Sequence, residues 1–224
     1  MNVVACCCFW NERDFLEGWL ANASSWADEI VLVDGRYSLF KGEGFASTDG
    51  SLGLINECKQ KKGAPPIHVI NARAWATEAE KRTAYFNYFS ELGMLDDAPE
   101  ARNKLLADTL FVILDADERL EGRVAETFAL INQPALAFLP CFEVKVGALG
   151  YYPRLIRWRK GLRYFKQHWL IVDDELNELH EIARDTYACG VCKNVWIEHL
   201  DKRRDGERKK NIKEYYEIPE WKRS

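Results

Sequence analysis

The chain has 224 residues, 47% hydrophobic and 29% charged with both signs mixed, enough for one large α/β domain or two small ones. A formal net charge of −4 and a pI near 5.7 exclude a general nucleic-acid coat, which needs a basic surface. No apolar run approaches the roughly 20 residues of a membrane helix, so no membrane span is expected.

Met1 to Trp10 is apolar but lacks a basic leader and runs at once into Asn11-Glu12-Arg13-Asp14, so it does not read as a signal peptide. Val3 to Phe9 reads instead as a buried strand, continuous in apolar character. Three of the seven cysteines, Cys6, Cys7 and Cys8, fall inside it, where cysteines behave as small hydrophobes. A reducing cytoplasm is the expected setting. A helix follows over Arg13 to Ala23, with Phe15, Leu16, Trp19 and Leu20 on one face. Glu29 to Val33 is a second strand, closed by Asp34-Gly35. Strand, helix and strand at this spacing make a βαβ unit, which predicts a parallel sheet with a right-handed crossover.

Arg36 to Ser51 is a long Gly- and Ser-rich loop. A helix is predicted over Ser51 to Lys61, a third strand over Ile67 to Ile70, helices over Ala76 to Leu92 and Glu100 to Asp108, and a fourth strand over Leu110 to Leu114. After Gly122 the alternation blurs. Ala135 to Val146 and Val191 to Ile197 are strand candidates, and Arg154 to Trp169 is basic and aromatic. Asp201 onward reads as a charged helix in which basic residues outnumber acidic ones. The predicted organisation is a nucleotide-binding half over 1–122, a half completing the same domain over 123–200, and a basic C-terminal helix over 201–224.

The densest chemistry is Asp115-Ala116-Asp117-Glu118, directly after the fourth strand. Ligands of open α/β sheets bind outside the carboxyl ends of strands. Two carboxylates there repel unless a cation lies between them, and hard divalent ions such as Mg²⁺ or Mn²⁺ bridge carboxylates to a diphosphate. On this pattern alone, a metal site and a capped, solvated strand end weigh equally. Polar groups at the ends of other strands, Asn11-Glu12 and Asp34, are hard to explain by capping and favour a site.

The succession FWNE, EIVLVDG, STDGS and FVILDADE resembles a family 2 glycosyltransferase over about the first 120 residues. The resemblance implies a GT-A fold: a mostly parallel central sheet flanked by helices, with a smaller acceptor-side region and a C-terminal helix. It also implies a nucleoside-diphosphate sugar donor, with a UDP-sugar favoured, and a divalent cation, Mn²⁺ or Mg²⁺, held by Asp117. Asn11 and Glu12 would lie by the nucleotide, Asp34 would take the uracil or ribose, and Asp115 would meet ribose or metal-bound phosphate. Phe9, Arg36 and Ala116 complete the expected donor side. Trp10 departs from the family's Tyr, and an insertion separates Asp34-Gly35 from Ser47-Thr48-Asp49. Phage-encoded members carry a similar Val-Asp-Gly-Arg-Tyr loop.

A diphosphate leaving group also needs cationic help. Arg82 is preferred over Arg102 for that task, the alternative for either being a solvated helix charge. The segment PRLIRWRKGLRYFKQHW resembles the stretch in which related enzymes place a functional His, so His168 is the first candidate for a further metal ligand. His199 resembles the late Ile-x-His motif, and His180-Glu181 competes with His168. Cys189 and Cys192 could join His180 and His199 in a zinc site, at a spacing unlike a zinc finger's.

An inverting transfer needs a carboxylate base; Asp117, Glu118 and Asp174 are the catalytic candidates, with Asp173-Asp174-Glu175 readable equally as an exposed acidic turn. The acceptor could be a glycan, a protein or modified DNA. A sugar-1-phosphate nucleotidyltransferase is disfavoured because no Gly-rich loop follows the first strand. A module binding nucleic acid or protein through Lys202 to Lys213 is the other alternative, and it would leave the acidic strand ends without a purpose.

Overall fold

The computed structural model describes residues 1–40, 43–94, 108–131, 136–143, 148–166, 170–185, 189–200, 210, 213, 214 and 217. Among these the chain runs β1 (Asn2–Phe9), α1 (Arg13–Ala23), β2 (Glu29–Asp34), α2 (Ser51–Lys59), β3 (Ile67–Ile70), α3 (Glu78–Met94), β4 (Thr109–Ile113) and β5 (Glu118–Gly122). It continues with α4 (Val124–Leu130), β6 (Leu136–Glu143), β7 (Ala148–Arg157), β8 (Arg163–Tyr164), β9 (Ile171–Val172), α5 (Leu179–Asp185), β10 (Cys189–Val191) and β11 (Val195–His199). The expected helix over 100–108 and the basic C-terminal helix fall almost wholly outside the described residues.

The main sheet has the order β3-β2-β1-β4-β7-β6-β11-β5, with β10 beside β6. The stretch β3-β2-β1-β4 is parallel, as the βαβ spacing predicts. The rest corrects the expectation of a parallel sheet: β7 is antiparallel to both β4 and β6, and β5 is antiparallel to β11, so the sheet is mixed. Because β5 pairs with β11, the two halves of the chain share one continuous sheet.

Both faces of the sheet are covered, which is why β1 reads as continuously apolar. Val3, Ala5, Cys7 and Phe9 enter one core with Phe15, Leu16, Trp19 and Leu20 of α1 and Leu54 and Ile55 of α2. Val4 and Cys6 enter the other with Trp75 and with Tyr85, Phe86 and Phe89 of α3. Each fully buried Val, Leu, Ile or Phe among these contributes about 1.5–3 kcal/mol. The seven cysteines are all free thiols. Burial pushes Cys6 and Cys7 well above the usual thiol range and Cys8 up to about 11.

One irregularity matters for the site. Across β6 and β7 the pairing runs Ala137 with Leu155, then Phe138 with Pro153, so Arg154 is an extra residue bulged out of β7. Pro153 cannot donate to a ladder and belongs at such a bulge. Bulges re-aim the side chain they carry.

Candidate active site

Parallel pairing brings the carboxyl ends of β1, β2 and β4 together, with Phe9 level with Asp34. Asn11 turns the chain after β1 with φ of 52°, a left-handed conformation that Asn tolerates. Its Oδ1 accepts from Thr48 N–H at 2.8 Å, while its own N–H donates to Ser47 Oγ at 2.9 Å. Asp34, 1% exposed, accepts from Gly35 N–H and from the Ser47 hydroxyl, each at 2.7 Å. Asp49 Oδ2 accepts from Arg13 N–H at 2.8 Å and its Oδ1 from Ser51 N–H at 3.0 Å, so one carboxylate caps the first turns of α1 and α2. The inserted loop is thereby tied to the turn after β1, to the end of β2 and to the starts of α1 and α2.

Arg36, expected on the donor side, organises its own loop. Its side chain donates to the carbonyls of Gly44 at 2.6 Å and of Phe40, and its guanidinium lies 5.3 Å from the Phe45 ring centroid. Phe9 and Ala116 are core residues whose carbonyls accept from Lys81 Nζ at 2.7 Å and from Arg119 Nη1 at 2.9 Å. Lys81 also donates to Gly35 O at 2.5 Å, so α3 ties the ends of β1 and β2. Glu12 is buried, and its carbonyl accepts from Phe15 and Leu16 N–H to start α1.

The next residue of α3 reaches the third strand end. Arg82 Nη2 lies 2.5 Å from Asp115 Oδ1, and its Nε 3.1 Å from Glu78 Oε1. From the opposite side, Arg154 Nη2 lies 3.2 Å from Asp115 Oδ2 and 2.6 Å from Glu118 Oε1. Glu118 Oε2 accepts from Asp115 N–H at 2.8 Å, closing the turn. Burial drives the Glu118 carboxyl above its ordinary range, against the pull of Arg154. Burial works against the charge of both arginines, but Asp115 with Glu78, and Glu118 with Asp115, outweigh it and hold each guanidinium raised. Both therefore stay cationic at any working pH. Arg154 was not singled out from the sequence; the only signal was the Pro-Arg pair at what proves to be a bulge.

Asp117 faces elsewhere. It is 1% exposed, its Oδ2 lies 3.4 Å from His199 Nε2, and its carbonyl accepts from Leu200 N–H at 2.7 Å. Carboxylate oxygen and imidazole nitrogen side by side are a donor set that suits Mn²⁺. The pairing of β11 with β5, His199 level with Glu118, brings these distant residues together. His168 lies outside the described residues, as does Arg102.

Beside Asp115 opens a cleft of about 470 Å³. Its walls include Glu78 and Arg82 of α3, Tyr151 to Arg154 of β7, Phe138 of β6, Tyr164 of β8, and Leu179 and His180 of α5. Asp174 does not line it. That carboxylate is 67% exposed in a turn after β9, 3.5 Å from Arg163 Nη1, while Asp173 ties the same turn to Asn177. The exposed acidic turn is thus the observed form. His180 pairs with Glu178 at 3.2 Å, and His199 with Asp117. Among the described residues, the one group of three metal-ligating side chains within 4.8 Å is Glu178, His180 and Glu181, and it includes neither Cys189 nor Cys192.

In three dimensions the chain is similar to the mannosyltransferase PcManGT from Pyrobaculum calidifontis, solved with GDP-Man and Mn²⁺. The likeness has a TM-score of 0.51 at 15% identity, over 96% of this chain and 61% of that one. It is a likeness of fold. Two S. aureus TarS structures, one of residues 1–349, align at 11% and 10% identity with TM-scores of 0.44 and 0.42. Each covers 67% of this chain and 38% or 23% of the other, so the chain spans less than two thirds of every one of these structures. No protein-family model matches the chain, and no characterised protein matches it in sequence. No helix among the described residues is long and apolar enough to cross a membrane.

Proposed function

We propose that the chain is a nucleotide-sugar-dependent glycosyltransferase of family 2 type, inverting at the anomeric carbon. The observation that carries this reading is the acidic turn Asp115 to Glu118 at the carboxyl ends of parallel strands, held between Arg82 and Arg154 with His199 against Asp117. The fold shared with a mannosyltransferase supports it.

Asp117 and His199 would hold a divalent cation, Mn²⁺ or Mg²⁺, with His168 as a further candidate. Bound there, such an ion would neutralise charge growing on the leaving diphosphate. Arg82 and Arg154 supply fixed positive charge to the same edge of the site, preorganised by their carboxylate partners. Asn11 and Asp34 shape the donor side mainly through the Ser47 loop that they hold, and Glu12 lies beside them at the start of α1. Phe9, Arg36 and Ala116 act there as framework, presenting backbone. Glu118 is tied to Arg154 and to Asp115 N–H, which suits it to positioning Asp115 rather than to taking a proton. The nucleotide is proposed as UDP, with a GDP-sugar the nearest alternative because the similar mannosyltransferase was solved with GDP-Man.

Binding of UDP-, GDP- and dTDP-sugars measured calorimetrically with Mn²⁺ tests the reading. At least one donor should bind, and Asp117→Ala should abolish the Mn²⁺-dependent part while leaving the fold intact. If no donor binds, or Asp117→Ala binds as well as the parent, the transferase reading is wrong.

A further inference from the structure

The cleft beside Asp115 shares Asp115, Arg82 and Arg154 with the proposed donor edge, and beyond them its lining turns aromatic. The parallel strand ends lie on one side of Asp115, whereas the cleft opens on the other, between β7 and α5. Its walls carry Phe138, Tyr151, Tyr152 and Tyr164, and its rim carries His180. Building on the glycosyltransferase reading, we propose that this cleft is the acceptor subsite and that the acceptor is a carbohydrate, with a sugar ring lying against the tyrosines and a hydroxyl directed to His180.

Four observations carry this assignment. First, the surface is aromatic yet not dry. Tyr151 is 55% exposed and Tyr152 39%, and their rings offer apolar faces while the phenol groups stay polar. A sugar ring has the matching character, with C–H bonds on its faces and hydroxyls around its edge. An alkyl chain would match the rings but not His180 and the phenols.

Second, Tyr152 is held rigid. A Cβ on Gly150 would stand 2.8 Å from the Tyr152 ring, so the ring lies across bare backbone. The Arg154 guanidinium lies 5.7 Å from its centroid on the way to Asp115. A platform fixed in advance loses little entropy when a ligand arrives.

Third, His180 is a placed hydrogen-bonding group. Leu179 and Ala183 bury α5 against the core, Glu178 bridges to Val172, and the Glu178 carboxylate lies 3.2 Å from His180 Nε2. A carboxylate against one ring nitrogen orients the imidazole towards its remaining partners.

Fourth, the size of the cleft fits. About 470 Å³ suits one or two sugar rings.

The chain has four histidines, so imidazole proton spectra provide a direct test. The probes are the methyl glycosides of glucose, galactose, mannose and N-acetylglucosamine, titrated at millimolar concentration. His180→Gln assigns its signal, and His68, which accepts or donates at 2.7 Å to Tyr88 on another part of the sheet, is the control. At least one glycoside should shift the His180 signal alone and receive saturation transfer at its ring protons. Tyr151→Ala should weaken that binding by about three- to tenfold, the scale of one aromatic contact.

If none of the glycosides binds, if phenol or hexanol shifts His180 in their place, or if Tyr151→Ala binds unchanged, the carbohydrate assignment is overturned. Mn²⁺-dependent donor binding, measured on the same samples, separates the two readings. Donor without glycoside leaves the transferase and removes this subsite, whereas glycoside without donor does the reverse.

Discussion

Arg154 shows how much of the site one side chain organises. It joins Asp115 to Glu118 while 13% exposed, and Glu118, 4% exposed, could not remain charged there without nearby compensation. Arg154→Met should lower unfolding stability by about 3–5 kcal/mol, read from urea titration, because it leaves buried charge uncompensated. Arg154→Lys should recover part of that loss but only part, since an ammonium cannot span both carboxylates as a planar fork does. A loss below about 1 kcal/mol in Arg154→Met would mean that Arg82 alone neutralises the cluster. Cysteines make a second test at this scale. Burial holds the Cys8 thiol near 11, so no thiolate forms there at pH 8. Iodoacetamide at pH 8 should label exposed Cys189 and spare Cys6, Cys7 and Cys8, as peptide mass spectrometry would report, with reaction at Cys8 rising only as pH approaches 11. Labelling of the β1 cysteines in native protein at pH 8 would contradict the packing described.

At the level of elements, Asp49 links two helices that are otherwise capped by Glu12 and Gly50 without side-chain bonds. Asp49→Ala frees donors at both first turns and should cost about 1–2 kcal/mol, measured as a lowered midpoint in thermal unfolding. An unchanged midpoint would show that water replaces the carboxylate. The first half of the chain was legible for a physical reason. Its strands are buried on both faces and its helices carry one apolar stripe, so α1 falls on the predicted bounds and β1, β2, β3 and β4 within a residue or so. The strand-end residues Asn11, Asp34 and Asp115 were legible as a group for the same reason. Their partners were not: Ser47 holds Asp34 across an insertion, and Arg154 reaches Asp115 from 39 residues downstream. β5 was hidden because ERLEG carries no alternation, and its burial comes from β11, which lies far along the chain. Of β7 only Arg154 to Arg157 fell in the stretch read as basic and aromatic, and the strand itself was missed because the bulge interrupts its period of two.

At the level of the whole molecule, the continuous sheet ties the fate of the two halves. β4 needs β7 on its outer edge, and β5 needs β11. A fragment of residues 1–122 should therefore fail to fold alone, with poor protection of β4 amides in hydrogen exchange, and the full chain should unfold in one transition by both circular dichroism and tryptophan fluorescence. Two separated transitions would show that the halves are independent units. The site straddles this seam, with Asp117 from one half and His199 from the other, so metal binding should raise the unfolding temperature of the entire molecule rather than of one part.

The bulge at Arg154 works as a slack link in β7. With Leu155 opposite Ala137 and Pro153 opposite Phe138, the strand carries one more residue than its partner while the pairs on either side keep their places. A single-codon deletion of Arg154 would join Pro153 directly to Leu155 with every pair kept, so the cleft wall of residues 148–153 would hold its register while the acidic turn lost its bridge. An insertion or deletion between 148 and 153 finds no such slack: it would slip the residues beyond it by one position and turn their side chains to the opposite side of the sheet.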